Sequence, residues 1–368
     1  MDSITSNNRL CTCCGACENI CPAGAVVMRQ DEEGFLYPYV DQEKCVHCGQ
    51  CVKVCHLFTP KSKENKILGC YAVWASDEIR KKSSAGGVFS LIARYIISEN
   101  GFVCGASFED NTRVQHIIVG EEQGLEKLRT SKYVQSKIGM TYSEIKRLLN
   151  DNKKVLFSGT PCQVAGLYLY LGYKPDNLYT IDLLCHGVPS QSLFDRYLSE
   201  KYQDEAIKSI NFRDKCNGWT YKLKLKVETE KDVYISDINE DAYYRAFNER
   251  LSLRKSCGVC EFATSERRGD ISLGDFWEIW GYDKALDDRQ GTSLVLVNSH
   301  KGEFILQKIL PEIKKIANVP LERAMKGNVT LYKCLPLHEN RQSFFKDLDS
   351  CTLEKAVTQN INKENPNE

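Results

Sequence analysis

The sequence predicts an α+β protein in two parts: a small cysteine-rich domain, then a mixed α/β body whose C-terminal half is rich in strands. Three observations predict it. Nine of the 18 Cys fall between Cys11 and Cys55. Residues 68–190 alternate short apolar runs with helical periodicity. From about residue 205 strand patterns dominate. A length of 368 residues suits two or three domains. The boundaries read as 1–58, a polar linker over 59–67, body segments 68–190 and 191–350, and a polar tail over 351–368.

Composition excludes several classes of function. Lys+Arg and Asp+Glu both number 49, so no net charge draws in nucleic acid or an anionic membrane. No run approaches eighteen apolar residues, so no spanning helix is expected. The N-terminus, MDSITSNNRLC, has no apolar signal region, which predicts a cytoplasmic protein with reduced thiols. So many Cys in that setting point to metal or redox chemistry rather than to disulfides.

The first cysteine run is Cys11-x2-Cys14-x2-Cys17-x3-Cys21-Pro22; the second is Cys45-x2-Cys48-x2-Cys51-x3-Cys55. This is the two-cluster ferredoxin pattern. Three closely spaced thiolates wrap one Fe4S4 cube, and the chain carries the fourth to the other cube. One [4Fe-4S] cluster is expected on Cys11, Cys14, Cys17 and Cys55. The other is expected on Cys45, Cys48, Cys51 and Cys21. Cys13 is read as a free thiol. His56 stands where Pro usually follows the last Cys; it either tunes that cluster or covers it. Between the runs, AVVMRQDEEGFLYPYVD reads as a hairpin turning at Gly34.

In the body, Cys70–Ala75 is a short strand. Ser83-Ser84-Ala85-Gly86-Gly87 then opens a helix marked by Val88, Leu91, Ile92, Tyr95 and Ile96. Such a loop is either an anion site at a helix start or an ordinary capped loop. Gly101–Phe108 and Val114–Val119 read as paired strands. Thr130–Ser136 is a dense polar patch before a helix over Met140–Leu149. The strand Lys154–Phe157 runs into Cys162 on a helix that Pro161 starts. The strand Leu178–Leu184 ends at Cys185, and Ser190 caps the next helix. Two strands thus end in a Cys at a turn, where α/β sheets collect ligands. Tyr221–Val227, Ile271–Phe276 and Ser293–Val297 are further strands; Asp241–Phe247 and Phe304–Ile309 are helical. Cys257 and Cys260 form a lone CxxC: a redox dithiol, half a metal site or chance. The Gly spacings contain neither GxGxxG nor a P-loop, so any nucleotide cofactor is held another way.

Two ferredoxin motifs followed by SSAGG, SKYVQS, GTPCQ, CHGVPS and a later CxxC resemble the coenzyme F420 hydrogenase/dehydrogenase beta-subunit family. The similarity runs from about residue 10 to about residue 345. It implies a flavoprotein body that binds FAD and a third [4Fe-4S] cluster. It assigns Ser84, Gly86 and Gly87 to the flavin loop; Ala85 within it departs a little from the match. Ser131, Lys132, Tyr133, Gln135 and Ser136 are assigned to the patch facing the flavin, and Cys162, Cys185, Cys257 and Cys260 to the inner cluster. Lys132 is the candidate catalytic residue, an ammonium near the flavin's pyrimidine end; the alternative is a surface ion pair. The expected function is electron transfer between the clusters and FAD, then hydride exchange with a small organic acceptor such as coenzyme F420. Expected partners are that acceptor and a redox protein, either ferredoxin or a hydrogenase/dehydrogenase-type subunit. The alternative is a non-catalytic electron-transfer subunit.

Overall fold

The computed structural model describes residues 10–59, 65–203, 205–219 and 223–362. The N-terminal unit is built around one antiparallel hairpin, β1 (Val26–Gln30) and β2 (Leu36–Val40). Its turn needs Gly34, whose φ of +79° suits glycine. The two cysteine loops follow the same backbone path. Cys13 and Gly15 in the first, and His47 and Gly49 in the second, are all left-handed, and each glycine starts a short helix. Cys13 therefore matches His47, not a ligand position.

The body centres on an eight-stranded sheet. Its strands are β3 (Gly69–Trp74), β4 (Phe102–Glu109), β5 (Arg113–Val119), β6 (Val155–Gly159) and β7 (Leu178–Leu183). A separate three-stranded sheet follows, of β8 (Ile207–Asp214), β9 (Lys224–Thr229) and β10 (Val233–Asp237). The large sheet is completed by β11 (Ile271–Asp275), β12 (Ser293–Val297) and β13 (Lys315–Asn318). Its order is β13-β3-β12-β11-β7-β6-β4-β5. The central β4, β6, β7 and β11 are parallel, so their carboxyl ends share one edge. Helices Val88–Ser98 and His300–Ile309 bury Leu91, Ile92, Ile96, Ile305 and Ile309 in a common core with this sheet. Helices Thr141–Asn150 and Pro161–Leu171 build a second core with β6 and the Cys14 loop. The small sheet packs under an aromatic layer that includes Phe194, Phe212, Tyr243 and Tyr244.

Most expected elements form where their periodicity places them. Pro161 starts its helix inside a capping box of Thr160 and Gln163. Ser190 caps the helix Gln191–Tyr202 by accepting from Leu193 N–H. One expectation changes. Residues 351–368 are not simply a tail: Thr352 caps a helix, Leu353–Ile361, that buries Leu353, Ala356 and Val357. Of the expected strand Tyr221–Val227, Tyr221 and Lys222 lie outside the described residues and β9 begins at Lys224. Likewise 60–64 of the linker are outside them, while Asn65 already pairs with Arg267. Among the described residues no helix is long and apolar enough to cross a membrane.

The N-terminal unit is seated on the body by specific contacts. Gly166 lets the Cys14 loop press on the helix Pro161–Leu171: a Cβ there would sit 2.8 Å from Cys14 Cβ and 2.9 Å from its Sγ. Asn19 Nδ2 donates to Gly139 O (2.6 Å) and its Oδ1 accepts from Ser143 N (3.1 Å). Arg341 and Lys255 both pair with Glu33 beside the hairpin turn.

Candidate redox site

In the N-terminal unit a small cavity of about 20 Å³ is lined by Cys11, Cys14, Cys17 and Cys55, the set expected for one cluster. Cys21, Cys45, Cys51 and Cys55 share an apolar cluster with Val26 and Val40, whereas Cys48 is exposed. Backbone amides point at ligand sulfurs: Cys13 N to Cys11 Sγ (3.4 Å) and Ala25 N to Cys21 Sγ (3.2 Å). Amide donors of this kind hold negative sulfur, so the residues fit Fe–S clusters. His56 lines the same cavity, its Nε2 meets Thr12 Oγ1 (3.1 Å) and its Nδ1 meets Glu261 Oε1 (2.6 Å), next to Cys260.

At the carboxyl edge of the large sheet lies a cavity of about 330 Å³. Gly159 of β6 and Asp182 of β7 are level in register, so Cys162 and Cys185 leave the sheet at the same height. Both line the cavity with Cys257 and Cys260, which a short turn over Lys255–Val259 carries in. Thr160 Oγ1 lies 3.1 Å from Cys162 Sγ, and Gly187 N donates to Cys185 Sγ at 3.4 Å. Cys334, to which no sequence motif gives a role, also reaches this wall. Its Sγ accepts from Cys260 N at 3.0 Å and donates to Cys257 O at 3.4 Å. Among the described residues no group of three His, Cys, Asp or Glu suits a single metal ion. A cube spaces its thiolates more widely than one zinc does.

The same cavity carries most of the expected flavin residues. Ser84 and Gly87 line it with Ser131, Lys132, Tyr133, Gln135 and Ser136. The two segments are joined: Ser84 Oγ accepts from Ser131 N (2.8 Å) and lies 3.1 Å from Ser131 Oγ. Gly87 is left-handed at φ +90° and starts the helix Val88–Ser98 with no side-chain cap. Gly86 is the exception: it stands behind the wall, where a Cβ would lie 2.2 Å from Val73 O. The sheet, not a ligand, demands that glycine.

Lys132 is not in a surface ion pair. Its ammonium donates to the carbonyls of Arg129 (2.7 Å), Lys127 (3.0 Å) and Thr130 (3.3 Å), and burial lowers its pKa to about 7. Tyr133 Oη accepts from Arg213 (3.0 Å). His116, which no motif marked, stacks on Phe157 in the same wall. Its Nε2 faces Ser158 O at 3.1 Å, so that nitrogen carries the proton and Nδ1 accepts from Ser136 Oγ at 2.8 Å. Burial lowers its pKa to about 4, so it is neutral at physiological pH.

Residues 152–319 match the family model for the carboxy-terminal region of the coenzyme F420 hydrogenase/dehydrogenase beta subunit, and residues 10–57 match a 4Fe-4S dicluster domain. Through that region the chain is similar to the coenzyme F420 hydrogenase/dehydrogenase beta-subunit family. It is an iron–sulfur protein of an oxidoreductase family. A coenzyme F420-dependent sulfite reductase of Methanocaldococcus jannaschii is 23% identical over 334 residues, 86% of this chain. The chain spans about half of that relative's length, 50%. One component of the F420H2 dehydrogenase of Methanosarcina mazei is 24% identical over 277 residues, covering 72% of this chain and 75% of the relative. A chain from the F420-reducing [NiFe] hydrogenase complex of Methanosarcina barkeri aligns with TM-score 0.49 and 19% identity, over 82% of this chain and 91% of that one.

Proposed function

We propose that this protein is an iron–sulfur flavoprotein oxidoreductase, with three [4Fe-4S] clusters and FAD, that exchanges a hydride with a small organic acceptor such as coenzyme F420. One observation carries the reading: a single cavity is lined both by Cys162, Cys185, Cys257 and Cys260 and by the hydrogen-bonded Ser84–Ser131 pair. Bound there, FAD would supply the exchange between single electrons and hydride. Ser84, Ser131 and the uncapped start of the helix Val88–Ser98 would hold its phosphates. Lys132 would hold negative charge at the ring. His116, held neutral, adds no charge there. The N-terminal thiolates would hold the two outer cubes, close enough to feed the cavity through the Thr12–Gln135 contact (3.0 Å).

The alternative is an electron-transfer subunit with no organic substrate of its own. The two separate by experiment. Anaerobic protein is denatured by heat and assayed for released FAD; native protein is then mixed with reduced ferredoxin, reduced coenzyme F420 and NAD(P)H while flavin absorbance is followed. The proposal expects FAD and bleaching by one organic donor, and at least tenfold weaker FAD retention in the Ser84→Ala, Ser131→Ala double variant. Absence of FAD from iron-loaded protein overturns it. FAD reduced only through a protein donor favours the subunit. Gly87→Asp would be a poor probe, because a Cβ there meets Ile79 Cγ2 at 2.9 Å and Ala75 Cβ at 3.0 Å.

A further inference from the structure

Five arginines are buried: Arg80, Arg213, Arg254, Arg267 and Arg341. Four face a carboxylate: Asp288 for Arg80 (2.6 Å), Asp275 for Arg213 (2.8 Å), Asp182 for Arg267 (2.6 Å) and Glu33 for Arg341. Arg254 is fully buried, and among the described residues no carboxylate pairs with it. Its Nε donates to Cys11 O (2.7 Å), Nη1 to Gln135 Oε1 (3.1 Å) and Nη2 to Leu36 O (2.8 Å). Its guanidinium lies over Tyr37, 4.2 Å from the ring centre. These neutral partners give each guanidinium nitrogen one acceptor but do not balance its charge. An uncompensated buried cation is strongly disfavoured, so its site calls for a counter-charge. The ionisable groups beside it are Cys13, Cys11 and Tyr37 toward the N-terminal unit and Cys257 toward the large cavity, which Arg254 itself lines.

We propose that Arg254 is the buried counter-charge of the cluster on Cys11, Cys14, Cys17 and Cys55, and that it raises the reduction potential of that cluster above its twin's. The inference rests on the cluster assignment under Proposed function. Each one-electron reduction adds a negative charge to a cube, and a fixed cation in a dry site stabilises that charge. The twin site on Cys45, Cys48, Cys51 and Cys21 opens to solvent at Cys48. Two sites of one sequence pattern thus become unequal, and an added electron settles on the cluster facing the body. Arg254 also precedes the turn carrying Cys257, whose N–H donates to Arg254 O at 2.9 Å. The same residue therefore spans the outer unit and the cavity.

The test is an anaerobic EPR-monitored redox titration of full-length, iron-loaded protein with dithionite, comparing wild type, Arg254→Gln and Arg254→Lys. In Arg254→Gln, one N-terminal signal should lose at least tenfold in its reduced-to-oxidised ratio at fixed potential, about 59 mV for a one-electron couple, while the other stays unchanged. Arg254→Lys keeps the charge and should hold that ratio within about threefold of wild type. A fully loaded Arg254→Gln protein with both potentials unchanged overturns the inference. If Arg254→Gln takes up no iron, the wild-type titration decides: equal potentials for the two N-terminal signals overturn the inference, and a tenfold difference in their reduced-to-oxidised ratios, about 59 mV, upholds it. Wild-type protein with zinc and no acid-labile sulfide would overturn the cluster assignment instead.

Discussion

Gly166 offers a test in which local propensity and tertiary packing predict opposite signs. It lies inside the helix Pro161–Leu171, where Gly→Ala normally stabilises by about 1 kcal/mol. The added methyl would stand 2.8 Å from Cys14 Cβ, 2.9 Å from Cys14 Sγ and 3.3 Å from Cys14 O. No flexible side-chain end is there to yield. Cys14 is short, and the adjoining Gly15 is itself held by Ile138, 2.9 Å from where its Cβ would be. Overpacking of this kind costs about 1–3 kcal/mol. At the upper end of that range, offset by the helix gain, Gly166→Ala loses about 2 kcal/mol of docking. The population with the N-terminal unit lifted off the body then rises about thirtyfold. Anaerobic iron release to a chelator measures it, with Gly281→Ala as the control, since a Cβ at Gly281 meets nothing within 4 Å. Release from Gly166→Ala at the wild-type rate would refute the argument that this glycine exists for the Cys14 loop.

Other expectations follow from the same geometry. Cys48→Ser should lower the iron content by one cluster, about four atoms, whereas Cys13→Ser should lower it by none, as iron and sulfide analysis will read. Lys132 sets a pH dependence. Burial lowers its pKa to about 7, below the roughly 10.4 of an unfolded lysine, so between these values the unfolded chain binds the extra proton. Stability therefore rises with pH across that window. Melting curves of flavin-free wild type should climb relative to Lys132→Met between about pH 7 and pH 9; parallel curves would mean the ammonium is solvated.

The features legible before folding lie within short stretches of chain. The spacing of the eight N-terminal Cys named a ligand set, and four of those residues line one cavity. Pro161, Ser190 and the apolar face from Val88 to Ile96 marked helices, because caps and turns are hydrogen-bonded within a few residues. The ends of two apolar strands already suggested that Cys162 and Cys185 share an edge. Parallel pairing of β6 and β7 then made it so. The rest depends on long-range packing. Polar composition hid the helix Leu353–Ile361, whose Leu353, Ala356 and Val357 are buried only because an aromatic layer lies beneath them. Gly86 resembles a ligand-loop glycine until β3 is seen against it. Cys334 lies 74 residues from the Cys260 amide it accepts from, and His116 lies in a strand without any motif. Arg254 reaches the carbonyl of Cys11 across 243 residues of chain. Nothing near it in sequence distinguishes it from four other buried arginines. Its distinction is the carboxylate it lacks, and a missing counter-charge exists only once every neighbour is in place.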